Sequence, residues 1–155
     1  MPTGDERARA RGRSAADTAG DRTKIARQSS RQALGRRGED LAAAHLARAG
    51  LRVLGRNVRV GRTELDIVAC EGDALCVIEV KLRRSDAFGS PEEAVDLRKQ
   101  RRIARATGEL LAHREESGLE LPRTRRIRFD VVAIDASCEP PRIRYLRDAF
   151  RADDR

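Results

Sequence analysis

Between residues 34 and 150 the hydrophobic positions recur with two different periods, and the switches between them divide the chain into elements. Leu34, Leu41, Ala42, Leu46 and Ala49 recur at helical spacing, and Gly50 is a natural stop, which predicts a first helix over 34–49. From Leu51 to Val60 the pattern is β-branched and imperfectly alternating, with an irregularity near Gly55–Asn57 that fits a turn or bulge. Gly61-Arg62-Thr63 reads as a turn. Glu64 to Cys70 follows as a strand, with Leu65 and Ile67 on one side and Glu64, Asp66 and Val68 on the other. Glu71-Gly72-Asp73 closes a hairpin, and Ala74 to Leu82 is the clearest strand. There Cys76, Ile78, Val80 and Leu82 share one face, while Leu75, Val77, Glu79 and Lys81 share the other.

Ser90-Pro91-Glu92-Glu93 has the form of a helix start, with a capping Ser, Pro at the first helical position and Glu93 completing a capping box. The helix runs on through Val95, Lys99, Ile103, Ala106, Leu110 and Leu111 and frays near Glu116-Ser117-Gly118. Ile127, Phe129, Val131 and Ala133 alternate with Arg126, Arg128, Asp130 and Val132 as a further strand, and Ile143 to Leu146 fits a short edge strand. Helix, three strands, helix, strand and a last short strand imply an α/β domain with one central mixed β-sheet flanked by helices.

Charge changes the picture at one end. The chain of 155 residues carries 33 basic and 25 acidic side chains, a net of +8. Residues 1–37 hold ten basic and four acidic groups, so most of the excess lies there. That stretch is nearly empty of large apolar side chains and cannot bury enough surface to offset its ordering entropy. Residues 1–30 are therefore expected to form a disordered basic arm, residues 31–150 the folded domain, and residues 151–155 a polar tail. The arm is either an inert solubilising segment or a loose phosphate-seeking tether.

Composition excludes some classes. Aromatics are 3% of the chain, too few for a platform that stacks single-stranded nucleic acid. No run approaches the ~20 apolar residues of a membrane span, and no apolar signal core is present, so no membrane partner and a cytoplasmic location are expected. Cys70, Cys76 and Cys138 form no C-x-x-C pair and no zinc spacing, and read as small residues in or near a reduced core. Arg outnumbers Lys thirty to three; Lys24, Lys81 and Lys99 stand out, because Arg cannot replace Lys where a compact, directed ammonium is needed.

The candidate chemistry sits on two strands. Glu79 and Lys81 project to the same side as Leu75 and Val77, and charge on an apolar strand face is costly unless it is paired or binds an ion. A hairpin with twelve residues between Asp66 and Glu79 can bring these two carboxylates together beside Lys81. Close carboxylates repel, and a hard divalent cation with oxygen ligands relieves that repulsion. The plainer alternative is a structural Glu–Lys pair with Asp66 at a solvated strand end.

The run Arg37-Gly38-Glu39-Asp40-Leu41-Ala42, then Asn57, Glu64-Leu65-Asp66-Ile67-Val68, Val77-Ile78-Glu79-Val80-Lys81-Leu82-Arg83, Phe88-Gly89 and Arg128-Phe129-Asp130-Val131-Val132 resembles the YraN family over about residues 34–150. These small bacterial proteins of poorly defined role are similar to archaeal Holliday-junction resolvases and to the wider PD-(D/E)-x-K nucleases. The resemblance implies a restriction-endonuclease-like fold. It implies Asp66 and Glu79 as ligands of Mg²⁺ or Mn²⁺, together with the Val80 carbonyl, Lys81 as catalytic lysine, and Glu39 on the first helix as completing the acidic cluster directly or through water. Thr63 stands where the family usually has Gly before the Glu-x-Asp; a stiffer turn there shifts Glu64 and sets it apart as a doubtful fourth carboxylate.

Arg83 and Arg84, leaving the catalytic strand, and Lys99 and Arg102 on the second helix are the candidates for DNA contacts, with Arg101 beside them. His45 and His113 read as surface or packing residues. The function expected is metal-dependent hydrolysis of phosphodiester bonds in branched or structured DNA, in repair or recombination, by a homodimer if two strands are cut symmetrically. The alternatives are a catalytically inactive DNA-binding or scaffold protein that keeps the fold, and an RNA-associated protein that uses the arm.

Overall fold

The computed structural model describes residues 33–83, 95–123 and 126–151. Leu34–Arg155 forms one unit. The expected arm over residues 1–30 and the tail from Ala152 lie outside the described residues, as do Arg84, Phe88-Gly89 and the capping sequence Ser90-Pro91-Glu92-Glu93.

Helix α1 occupies residues 33–48 and is followed by β1 (Arg52–Val60), β2 (Thr63–Glu71) and β3 (Ala74–Arg83). Helix α2 (Leu97–Ala112) leads to β4 (Ile127–Asp135) and β5 (Arg142–Phe150). The five strands form one sheet in the order β1-β2-β3-β4-β5. All neighbours run antiparallel except β3 and β4, which are parallel and joined through α2. Parallel neighbours need such a crossover, which lays its helix on a face of the sheet. This is a mixed sheet flanked by two helices, and it is compatible with the restriction-endonuclease-like fold.

Each face has its own core. On one, Ala42 and Leu46 of α1 pack with Ile67, Ala69, Cys76, Ile78, Val132 and Ile134. On the other, Ile103, Ala106 and Leu110 of α2 pack with Leu65, Val68, Leu75, Val77, Phe129, Val131 and Phe150. The alternation along β3 is as the sequence predicts: Cys76, Ile78, Val80 and Leu82 face α1, and Leu75 and Val77 face α2. Gly38 permits the close approach of α1 to β3, since a Cβ there would lie 3.1 Å from Leu82 Cβ. Cys70 and Cys76 are buried free thiols, and Cys138 is half-buried.

Three expectations are corrected. Leu65 and Ile67 do not share a face, because Leu65 joins the α2 core and Ile67 the α1 core. The paired strand β1 is irregular too: its register shifts between Val53 and Gly55, opposite Ala69 and Val68, and Asn57, between the partners of Leu65 and Ile67, takes φ 51°, a left-handed conformation that Asn tolerates. Second, α2 begins at Leu97, with Asp96 as N-cap accepting from the Lys99 N–H at 2.9 Å; Val95 precedes the helix as a buried anchor. Third, β5 is a nine-residue strand rather than a short piece, and covers β4 along most of its length.

Candidate active site at a carboxylate–lysine cluster

Hydrogen-bonded pairing of β2 with β3 starts at Ile67 opposite Ile78 and runs away from Asp66. Beyond that point a side chain takes over from the backbone: the Val80 N–H donates to Asp66 Oδ2 at 2.8 Å. This contact anchors the Asp66 carboxylate beside the next residue of β3, Glu79. The two carboxyl groups are close enough that the Glu79 charge acts on Asp66. The juxtaposition expected from the hairpin is therefore present.

Glu79 lies on the α2 side of β3 and is only 3% exposed. A carboxylate that deep needs compensating charge. It has two ammonium groups: Lys81 Nζ, two residues along the same strand face, is 3.0 Å from Glu79 Oε1, and Lys99 Nζ, from the first turn of α2, bonds the same oxygen. Burial, then the neighbouring Glu79 charge, pushes the Asp66 carboxyl up to about 7, against the pull of the Val80 N–H and Lys99. Asp66 thus holds a proton at mildly acidic pH.

Glu39 is held elsewhere. Asn57 Nδ2 donates to its Oε2 at 2.7 Å, and Arg56 is 3.8 Å away. Among the described residues no set of three acidic, His or Cys side chains is grouped to hold a metal ion, so Glu39 does not join Asp66 and Glu79 directly. Glu64 is paired with Arg59 on the surface at 3.3 Å. Arg83 is exposed at the end of β3, and its carbonyl accepts from the Ala136 N–H at 2.8 Å. Arg102 is exposed on α2. Lys99, expected on the nucleic-acid surface, instead reaches inward to Glu79. The signal for it was its rarity as a lysine in an arginine-dominated chain.

A second polar cluster, on the α1 side, escaped the sequence reading although its residues were in view. Asp130 is fully buried. It accepts from Arg128 Nε at 2.9 Å, from the Tyr145 hydroxyl at 2.6 Å and from the Asp148 N–H at 2.8 Å. Arg128 also donates to Glu71 at 2.7 Å, and Arg147 bonds the same carboxylate oxygen. Burial and the Asp130 charge push the Tyr145 hydroxyl up, so it stays a donor. His45 of α1 meets the Tyr145 ring edge-on at 6.3 Å, a packing role as expected. No described buried side-chain polar atom lacks a partner.

The chain is thus a small α/β protein with neighbouring carboxylates and two lysines on the central strands of a mixed sheet and the helix packed on them. Residues 38–134 match the uncharacterised protein family UPF0102, and the chain belongs to that family, which is the YraN family of the resemblance above. The chain is 48% identical over 119 residues to a UPF0102 protein of Rhodococcus jostii, covering 76% of this chain and 96% of that protein. It is 48% identical over 126 residues to one from Anaeromyxobacter dehalogenans, covering 81% and 89%. A Chlorobaculum tepidum member is 40% identical over 130 residues, covering 80% and 96%. Among the described residues no helix is long and apolar enough to cross a membrane.

Proposed function

We propose that the protein is a metal-dependent deoxyribonuclease that hydrolyses phosphodiester bonds in branched or structured DNA, in repair or recombination. The observation that carries this reading is the convergence of Asp66, held by the Val80 N–H at 2.8 Å, with the adjoining Glu79 and with Lys81, 3.0 Å from Glu79. Two adjacent carboxylates offer the hard oxygen donors that Mg²⁺ or Mn²⁺ takes, and Mg²⁺ needs only one or two of them because it keeps several waters. Asp66, Glu79 and the Val80 carbonyl would hold the ion, which supplies Lewis acidity and a water of lowered pKa. The chain supplies the rest. Asp66 is fixed by the Val80 N–H, so its carboxylate needs little reorganisation. Lys81 offers an ammonium to the charge that develops on phosphate oxygens. Lys99 neutralises Glu79 and is the group that has to share it.

The test is a cleavage assay with Mg²⁺ and Mn²⁺ on junction and linear DNA, comparing wild type with Asp66→Ala and Lys81→Ala. Wild type should cut, and each variant should lose at least 100-fold, in line with the usual cost of removing an electrostatic catalytic group, about 10²–10³. Equal residual cleavage in all three would mean contamination. Symmetric cutting would further require two sites in a homodimer, read by equilibrium sedimentation.

The second reading is a DNA-binding or scaffold protein without catalysis. It is favoured by the two ammonium groups already on Glu79 and by the engagement of Glu39 with Asn57. It predicts DNA binding that survives Glu79→Ala, and no cleavage.

A further inference from the structure

Helix α2 has two working faces. Ile103, Ala106 and Leu110 are buried in the core, and Lys99 points to Glu79 beside them. Arg98, Arg101, Arg102 and Arg105 are all exposed. At about 100° per residue these four fall within an arc of about 100°, and they extend about 10 Å along the axis. Together with Asp96 they line an open groove of about 480 Å³. Asp96 is the acidic group among the described lining residues, and it is committed as the helix cap. Glu109, one turn beyond Arg105, marks the end of the stripe.

The groove adjoins the carboxylate–lysine cluster. Asp96, at its head, lies within electrostatic reach of both Arg102 and Lys81. Lys99, next in sequence to Arg98, is bonded to Glu79. The head of the stripe thus lies one residue along α2 from the lysine that reaches the site. Four arginines repeating over two turns of one face repel one another when the groove is empty, and gain when an extended polyanion lies along them.

We infer that the arginine stripe of α2 is a docking track for the phosphate backbone of duplex DNA, laying a strand along Arg98, Arg101, Arg102 and Arg105 and delivering a phosphate to Glu79 and Lys81. This rests on the reading of the cluster as a phosphodiester site. The remaining side chains favour a duplex held by its backbone over a single strand held by its bases. Phe129 and Phe150 are stacked on each other in the core, and Tyr145 is occupied by Asp130. No described aromatic ring is thus free to stack a base, as single-strand binding requires. Contacts of this kind fix position and register without reading sequence.

The experiment is fluorescence anisotropy of a labelled 20-base-pair duplex with the full chain in EDTA, from 50 to 200 mM salt. Wild type is compared with the variant Arg98→Gln/Arg101→Gln/Arg102→Gln/Arg105→Gln. A control of equal charge loss is Arg48→Gln/Arg52→Gln/Arg59→Gln/Arg62→Gln, exposed side chains of α1, β1 and the β1–β2 turn that lie outside the stripe. Circular dichroism verifies that each variant is folded. Each phosphate contact contributes about 0.9 to the slope of log affinity against log salt, so the stripe variant should lose about 2–4 of that slope and the control less than about 1. Equal losses in the two variants would reduce the effect to net charge and overturn the track. So would an absence of duplex binding by wild type, or tighter, equally stripe-dependent binding of double-stranded RNA. Because no metal is present, the result is independent of catalysis: a chain that binds through the stripe and cuts nothing defeats the nuclease reading alone, and a chain that cuts DNA without using the stripe defeats the track alone.

Discussion

Asp66 carries the sharpest consequence of the site's geometry, because its carboxyl is pushed up to about 7 by burial and by Glu79. In an unfolded chain the same group titrates near 3.8. The folded protein therefore binds an extra proton between these values, and the stability this gives is complete below about pH 3.8 and lost as pH rises through about 7. Asp66→Asn keeps an oxygen for the Val80 N–H and an amide hydrogen for Glu79, and so mimics the protonated form. In EDTA, the melting temperature of wild type should fall relative to Asp66→Asn between pH 5 and pH 8. Parallel melting curves across that range would contradict the raised Asp66 carboxyl. Lys99 makes a companion case. Lys99→Met removes one of two ammonium groups from a buried carboxylate, and should destabilise by about 1.5–3 kcal/mol, the range for a charged hydrogen bond. In a urea double-mutant cycle, Glu79→Gln should abolish most of that cost.

The same residue scale explains why the sequence revealed half of this site. Glu79 and Lys81 were legible because strand alternation puts i and i+2 together on an apolar face, where charge is conspicuous. The target of Lys99 was not legible. Only the packing of α2 against the sheet sets which side chain on a neighbouring element an ammonium reaches, and an exposed lysine and an inward one look alike in sequence.

At the scale of elements, the strands were readable wherever hydrogen-bonded pairing is regular and were misread where a side chain interrupts it. Asp66 replaces a ladder acceptor, and Leu65 and Ile67 then face opposite cores, which strict alternation cannot anticipate. Two capping signals stand within a few residues of each other ahead of α2. The upstream one, Ser90 to Glu93, lies outside the described residues, and Asp96 caps the helix that begins at Leu97. Two glycines test how the helices are held. Gly38 lies against Leu82, with a Cβ position 3.1 Å from Leu82 Cβ, whereas Gly108 in α2 has nothing within 4 Å. Gly38→Val forces α1 away from β3 and should cost about 1–3 kcal/mol, as overpacking does. Gly108→Ala relieves a helix-interior glycine and should stabilise by roughly 0.5–1 kcal/mol. Chemical denaturation reads both, and changes of the same sign would refute the close contact at Gly38.

At the scale of the whole molecule, the sheet separates two kinds of buried charge. On the α2 side, Asp66 and Glu79 repel each other and are held by lysines that a bound cation could relieve. On the α1 side, Asp130 joins Arg128, Tyr145 and the Asp148 backbone, while Arg128 extends to Glu71, so that β2, β4 and β5 are tied together around Cys76. The α1-side network was hidden in the sequence, since Arg128 and Asp130 sit at polar positions of an alternating strand and look like its solvent face. They are enclosed because β5 runs alongside for nine residues with Tyr145 among them. The two clusters should respond oppositely to neutralisation. Asp130→Ala takes from the buried Arg128 guanidinium one of its two carboxylates, leaving it Glu71, and deprives the Tyr145 hydroxyl and the Asp148 N–H of their acceptor, which should cost about 3–5 kcal/mol, the range for breaking a buried ion pair. Tyr145→Phe removes one donor from the same carboxylate and should cost about 1 kcal/mol. Asp66→Asn, on the other face, should leave stability unchanged or raise it at pH 8, while removing the carboxylate on which proposed catalysis depends. Urea titration of the three variants at one pH orders them directly. If Asp66→Asn proved as costly as Asp130→Ala, the α2-side carboxylates would be structural elements of the core, and the proposal that they form a site poised for a cation would lose its physical basis.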